Sequence, residues 1–254
     1  MMEPTARVSV CMAAYNGAEY ISQQLASILE QLSPQDEVIV VDDCSKDGTA
    51  DIVESLGDGR IRLLRNTTNL GYVRTFERAL NSANGKYLLL SDQDDLWTPG
   101  RVDAMLAALN DHAVVASNFT VFGGEPNWFQ GLRLKSADST RYLSNLFLLW
   151  VGVRPYYGCT MGVNRDALRI ILPFPAFLRE THDQWIAMCG NVMRSMVHLE
   201  QFTVARRLHE TNTTPKAMRS AGRILSARWM LLRAFVIALQ RVRRPARARV
   251  KSTA

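Results

Sequence analysis

Three carboxylates, Asp92, Asp94 and Asp95, crowd into four positions directly after the apolar run Tyr87–Leu90 and Ser91. Like charges this close disfavour one another's ionisation unless a cation is shared among them, and an oxygen-bound Mg²⁺ or Mn²⁺ bridging the acids to a diphosphate is the natural solution. One Asp of the set could cap the next turn, but capping does not account for all three. A second polar cluster, Asp42-Asp43-Cys44-Ser45-Lys46-Asp47-Gly48, follows the apolar run Val38–Val41, and Ala13-Ala14-Tyr15-Asn16 follows a first run at 7–12. Further along, Asp183 lies at the start of a helical pattern, where its carboxylate can take a proton from a hydroxyl, cap the helix, or do both. His209 sits in Arg206-Arg207-Leu208-His209. Its arginine neighbours suit phosphate, yet a lone histidine is as often a bystander, and both readings stand. Arg74 is either a donor-phosphate contact or a solvated side chain.

These residues need elements to hold them. Strand signals at 7–12, 37–42, 61–64 and 87–91 alternate with helical patterns at 20–32, 49–56, 73–83 and 100–110. This β-α-β-α order, with strands apolar on both faces, predicts an α/β doubly wound, mostly parallel sheet with flanking helices and ligands at the carboxyl ends of its strands. A further strand is expected at 113–117. Residues 123–157, rich in Gly, Asn, Pro and aromatics, read as an irregular substrate-facing insertion, and short elements follow over 158–214. From about 217 to 243 the pattern is one helix, ended by Pro245.

The ordered series Ser9–Gly17, Val38–Thr49, Asn69–Tyr72, Lys86–Trp97, Gly158–Met161 and His182–Trp185 resembles the inverting family 2 glycosyltransferases of the GT-A fold, over roughly residues 7–214. The resemblance implies a nucleotide-diphospho-sugar donor, with Ala13, Tyr15 and Asp43 around the pyrimidine base. Asp92 and Gln93 would lie on the ribose and metal side, Asp94 would be the direct metal ligand, and His209 would complete the metal shell. It also implies that Asp183 is the general base, with His182 and Trp185 on the acceptor side; His182 stands where many relatives carry Glu. Ser91–Asp95, His182–Trp185 and Arg207-Leu208-His209 look most like bacterial rhamnosyltransferases. The expected reaction is transfer of L-rhamnose from dTDP-L-rhamnose, with inversion, to a lipid-linked or polysaccharide acceptor; a UDP-hexose donor is the alternative. The implied organisation is a nucleotide-sugar-binding half (1–110), an acceptor-binding and catalytic half of the same domain (111–215), and a C-terminal extension (216–254).

Composition narrows the classes. The 254 residues are 47% hydrophobic and 21% charged, enough for a full core. The four cysteines have no CxxC spacing, which argues against a zinc knuckle or a dithiol pair and for a reduced, cytoplasmic setting. The N-terminus does not read as a secretory signal. No GxGxxG follows the first strand, which disfavours a dinucleotide oxidoreductase. Charge is uneven: residues 200–254 carry 13 Lys+Arg against 2 acids, and the rest 17 against 22. The tail's apolar residues, Ile224, Leu225, Trp229, Leu232, Phe235, Val236 and Leu239, follow helical spacing and are too interrupted by Arg233 for a membrane span. Such a basic amphipathic helix suits an anionic membrane surface, giving a peripheral protein at the inner face of the cell membrane, or it packs on the domain. Its aromatics do not form a nucleic-acid stacking platform, so a nucleic-acid partner is not expected and a non-catalytic nucleotide-sugar or nucleic-acid binder is the weaker reading.

Overall fold

A computed structural model describes residues 6–125, 129–209 and 221–244. One eight-stranded sheet runs through it. Its strands are β1 (Ala6–Ala14), β2 (Glu37–Asp42), β3 (Ile61–Arg65), β4 (Gly85–Ser91), β5 (Leu96–Trp97), β6 (Val114–Phe122), β7 (Met161–Asn164) and β8 (Met196–Arg207), in spatial order β3-β2-β1-β4-β7-β6-β8-β5. The pairs β3–β2, β2–β1, β1–β4 and β6–β8 are parallel, while β7 runs antiparallel to both β4 and β6 and β5 antiparallel to β8. The expected α/β sheet with flanking helices is what forms.

Register explains why polar residues converge. Ala14 lies opposite Asp42 and Met12 opposite Ser91, so β1, β2 and β4 end on one edge and hand over there to Tyr15, Asp43 and Asp92. Because β7 reverses direction once and β6 reverses it again, β8 runs the same way as β4. Its carboxyl end therefore delivers Arg206, Arg207 and His209 to that same edge. The two-residue β5 pairs Leu96 with Ala205 and Trp97 with Val204, which locks the acidic loop against β8.

The sheet is apolar on both faces because helices cover both. Cys11, Ile39, Val41, Leu88 and Leu90 face one layer, which contains α3 (Tyr72–Ser82), α5 (Tyr142–Val151), α6 (Leu168–Ile171), α7 (His182–Val192) and α8 (Ala221–Arg243). Val8, Val10, Met12, Val38, Val40 and Leu89 face the other, with α1 (Ile21–Leu29), α2 (Thr49–Ser55) and α4 (Arg101–Asp111). Alternate residues of each strand thus enter different cores, and a continuous apolar run results. All four cysteines are free.

Two expectations change. The stretch 123–157 is not irregular throughout, since α5 occupies residues 142–151; Leu149 faces the core but Leu143, Phe147, Trp150 and Val151 point outward, a pattern that does not announce a core-facing helix. The strand expected to stop at 117 continues to Phe122, and the long β8, whose middle residues are exposed, lacks the unbroken apolar signature of the first four strands. In the tail, residues 217–220 lie outside the described residues, and from Ala221 the helix forms. It packs on the domain through Leu231, Ala234 and Ala238, with Arg241 donating to the carbonyl oxygens of Ile170 (2.7 Å), Ile171 (3.1 Å) and Pro173 (2.7 Å). Among the described residues no helix is long and apolar enough to cross a membrane.

Ala234 has no exposed surface. Ala234→Asp should therefore destabilise the fold by about 3 kcal/mol or more, through overpacking and a buried unpaired charge, lowering the midpoint in thermal or urea unfolding. A midpoint equal to the parent's would mean that α8 does not complete the core.

Candidate active site at the carboxyl edge of the sheet

The first side of the site is built by β1, β2 and the loops behind them. Asp43, buried, accepts from Asn66 Nδ2 (2.7 Å), Leu70 N (2.9 Å) and Gly71 N (2.8 Å), so one carboxylate organises the 66–71 loop. A base contact by Asp43, as the resemblance implies, would be added to that structural role. Tyr15 is exposed at the rim and Ala13 is half-buried beneath it. The Gln93 side-chain amide grips the Tyr15 backbone in both directions, accepting from its N–H (2.8 Å) and donating to its carbonyl (3.0 Å). Gly17 is required beside this clamp: a Cβ there would stand 2.2 Å from Gln93 Oε1, and the two bonds leave that side chain little freedom to retreat.

The second side is the acidic loop. Asp94 Oδ2 and His209 Nε2 are 2.8 Å apart, with the imidazole stacked on Tyr20 at 4.9 Å between centroids. Asp95 is buried, accepts from Arg207 N (3.0 Å), and carries an Oδ2 with no hydrogen-bond acceptor role filled. One ligand atom each from Asp92, Asp95 and Cys159 falls within 4.8 Å of the others. Burial, with Asp95 and Asp94 close by, raises the Asp92 carboxyl strongly, and burial and Asp94 raise that of Asp95. These are groups waiting for a compensating charge. Carboxylate oxygen plus imidazole nitrogen at Asp94 and His209, with Asp92 alongside, suits Mg²⁺ or Mn²⁺. Cys159 does not fit that role, because burial drives its thiol well above the ordinary value and keeps it neutral.

Protein cations already supply part of the balance. Arg206 is buried with its guanidinium 4.8 Å from the Tyr157 ring, and its charge acts on Asp92, Asp95 and Asp183 alike. Arg207 donates from Nε to the Asp94 carbonyl (3.1 Å) and lies over Tyr20 and Phe122. Arg101, wholly buried under the loop, donates to the carbonyls of Leu90 (3.3 Å) and Cys159 (2.8 Å) and to Thr203 Oγ1 (2.6 Å); burial lowers it to about 10. Sequence reasoning placed Arg206 near phosphate but overlooked Arg101, whose only signal was an arginine at an inward position of α4.

The third side is α7. Its cap position belongs to Thr181, in left-handed conformation (φ 67°), and Asp183 falls in the first turn. The Asp183 carboxylate accepts from Gln184 N (2.7 Å) and lies within electrostatic reach of Asp92 and Arg206; burial raises it to about 6.

Three of the expected residues are engaged in packing. Trp185 is buried, donates from Nε1 to the Ile171 carbonyl (2.9 Å) and packs under Arg241, so it anchors α7. His182 is buried too: it stacks on Phe76 at 4.3 Å, meets Tyr72 edge-on at 5.6 Å, and burial lowers it to about 3. Arg74 clamps the carbonyls of Phe174 (3.2 Å), Pro175 (2.8 Å) and Leu178 (3.2 Å), with Glu77 at 2.6 Å. In each case a helix-borne residue near a motif was drawn inward by packing that spacing alone does not reveal.

Asp43→Ala should cost on the order of 2 kcal/mol of stability without any ligand, since three donors lose their acceptor. An unfolding midpoint unchanged by the substitution would restrict Asp43 to ligand contact.

Comparison with known proteins places this geometry. A family model described as glycosyl transferase family 2 matches residues 9–172. A putative teichuronic acid biosynthesis glycosyltransferase, TuaG of Bacillus subtilis (strain 168), is 33% identical over 135 residues, 52% of this chain and 49% of that protein. The chain thus spans about half of that relative's length. A UDP-Glc:α-D-GlcNAc-diphosphoundecaprenol β-1,3-glucosyltransferase of Escherichia coli, WfgD, is 25% identical over 231 residues, 90% of this chain and 86% of that one. Among solved structures, S. aureus TarS 1–349 in complex with UDP-GlcNAc superposes with a TM-score of 0.71 at 21% identity, over 90% of this chain and 66% of that one. The mannosyltransferase PcManGT from Pyrobaculum calidifontis, in complex with GDP-Man and Mn²⁺, gives 0.59 at 20% identity, over 94% and 74%. The structural likeness establishes the GT-A fold, and the family match, which covers well over half the sequence, establishes that the chain belongs to glycosyl transferase family 2.

Proposed function

We propose that the protein is a metal-assisted inverting glycosyltransferase that moves a hexosyl or deoxyhexosyl group from a nucleotide-diphospho-sugar to an acceptor hydroxyl in bacterial surface polysaccharide synthesis. One observation carries the reading: Asp183, Asp92 and Arg206 lie close enough for their charges to act on one another, which supports a proton acceptor beside a diphosphate-binding set. In this reading the 1–110 half holds the donor, the 111–215 half holds the acceptor and base, and 216–254 is an extension.

Asp94 and His209 would hold Mg²⁺ or Mn²⁺, with Asp92 beside them. The bound ion would neutralise charge developing on the nucleoside diphosphate as it leaves. Asp183 would take the acceptor hydroxyl proton while that oxygen bonds to the anomeric carbon; the bond from that carbon to the diphosphate oxygen breaks, and its electron pair departs with the diphosphate. A carboxylate raised to about 6 is a better proton acceptor than an ordinary Asp and is still largely ionised near neutrality. In this reading Arg206 and Arg207 would meet phosphate oxygens, and Tyr15, Ala13 and Asp43 would hold the base.

Two donor classes remain in this proposal. Relatives named for UDP-Glc transfer support a UDP-hexose, and the motif at Ser91–Asp95 supports dTDP-L-rhamnose. Thermal-shift screening of UDP, dTDP and GDP sugars with Mn²⁺ separates them, because the true donor stabilises by mass action. The two relatives named for transfer to a diphosphoundecaprenol acceptor support a lipid-linked acceptor and hence a peripheral place at the inner membrane face.

Asp94→Ala should abolish Mn²⁺-dependent donor binding while the protein stays folded; equal nucleotide binding with and without EDTA would reject the metal assignment. Turnover should rise with pH and reach half its plateau near 6, because Asp183 accepts a proton only when ionised. Asp183→Asn should flatten that profile and lower kcat by on the order of 10² or more at nearly constant donor affinity. Full turnover in that variant would remove Asp183 from the mechanism.

A further inference from the structure

Helix α5 buries Leu149 in the core but also carries large apolar side chains on its outer side. Its buried positions include the polar Asn145, which donates to the Asp138 carbonyl (2.9 Å) and accepts from Arg154, whereas Leu143, Phe147, Trp150 and Val151 are all exposed, Leu143 at 79% and Phe147 at 62%. Spacings of four, three and one place these side chains on one outer stripe. Helix α8 repeats the peculiarity. While Leu231, Ala234 and Ala238 pack inward, Leu225, Trp229, Leu232 and Val236 form a second apolar stripe on the opposite side, with Leu225 73% and Trp229 62% exposed. An ordinary surface helix turns charge toward water; these two turn leucine and aromatics.

The stripes adjoin. Trp150 Nε1 donates to the Arg228 carbonyl (3.2 Å), and Arg228 in turn donates to the Val151 carbonyl. Between α5, the end of α7 and α8 lies a groove of about 530 Å³, lined by Leu143, Leu146, Phe235 and Leu239 with Arg141 and Arg194. Exposed Arg223, Arg233, Arg243 and Arg244 flank the α8 stripe, and no acid occurs in α5 or α8, nor anywhere after Glu210.

We infer that α5 and α8 together form a membrane-docking platform, whose apolar stripes enter the headgroup–acyl boundary of a bilayer rich in anionic phospholipid while the arginines meet its phosphates. This deepens the membrane placement given above and rests on it. It enlarges the docking surface beyond the C-terminal tail, since α5 belongs to the catalytic domain itself. Charge selects the occupant: a second copy seated on this face would bring two acid-free arginine rows together, whereas anionic lipid supplies the missing counter-charge.

The full chain should co-float with phosphatidylcholine vesicles containing phosphatidylglycerol, not with phosphatidylcholine alone, and binding should weaken as salt rises. Leu143→Ser/Phe147→Ser, on exposed positions, should lower vesicle partitioning about tenfold or more while leaving turnover on a soluble acceptor unchanged. Brominated lipid should quench the parent's tryptophan fluorescence, and the quenching should fall in Trp150→Phe/Trp229→Phe. If the Leu143/Phe147 variant floats as well as the parent, the α5 platform fails while membrane attachment through the tail stands. Should the full chain ignore anionic vesicles at low salt, both fail. A parent dimer that the same variant splits would put a second copy on this face and overturn the platform.

Discussion

Negative charge at the end of β4 is the constraint around which the rest is arranged. Asp92 and Asp95 sit in low-dielectric surroundings and repel each other, and Asp94 adds to the field. Such a cluster persists in a fold only if cations are brought to it from elsewhere in the chain. The double reversal through β7 and β6 does so, because it returns β8 in the direction of β4 and ends it with Arg206 and Arg207 beside the acids. Arg101 approaches from below, on the helix that follows the acidic loop. The metal-binding potential of the site is what this compensation leaves unfilled.

Much of the first half of the chain is legible in the sequence. Val38–Val41 and Leu88–Leu90 are buried on both faces, so their apolar runs stand out, and the polar residues that follow must lie at a strand end. Asp94 and His209, 115 residues apart, belong to ordered motifs and meet at 2.8 Å. What escaped was set by tertiary packing. The outward apolar face of α5 contradicts the rule that identifies helices, and β8 alternates between buried and exposed stretches. His182, Trp185 and Arg74 stand beside motif residues in sequence, but a helix carries neighbouring residues to different sides, and these three are held by packing and by backbone carbonyls.

Helix α7 shows how one short motif can serve two ends. Trp185 and His182 fasten it to α6, α8 and α3, while Asp183, between them in sequence, lies within electrostatic reach of Asp92 and Arg206. The space that admits His182 exists because residue 158 is glycine, whose Cβ would otherwise lie 2.6 Å from His182 Nε2. The position of the Asp183 carboxylate is thus fixed by the packing of its neighbours on the same helix.

The Gln93 amide joins two regions that are otherwise separate in the chain. It belongs to the acidic loop but spends both of its hydrogen-bonding ends on the backbone of Tyr15, 78 residues earlier. The end of β1 and the acidic loop after β4 are therefore tied together, and a displacement of either one strains both bonds. A change at Gln93 would reach the rim at Tyr15 as directly as it reaches the loop that carries it.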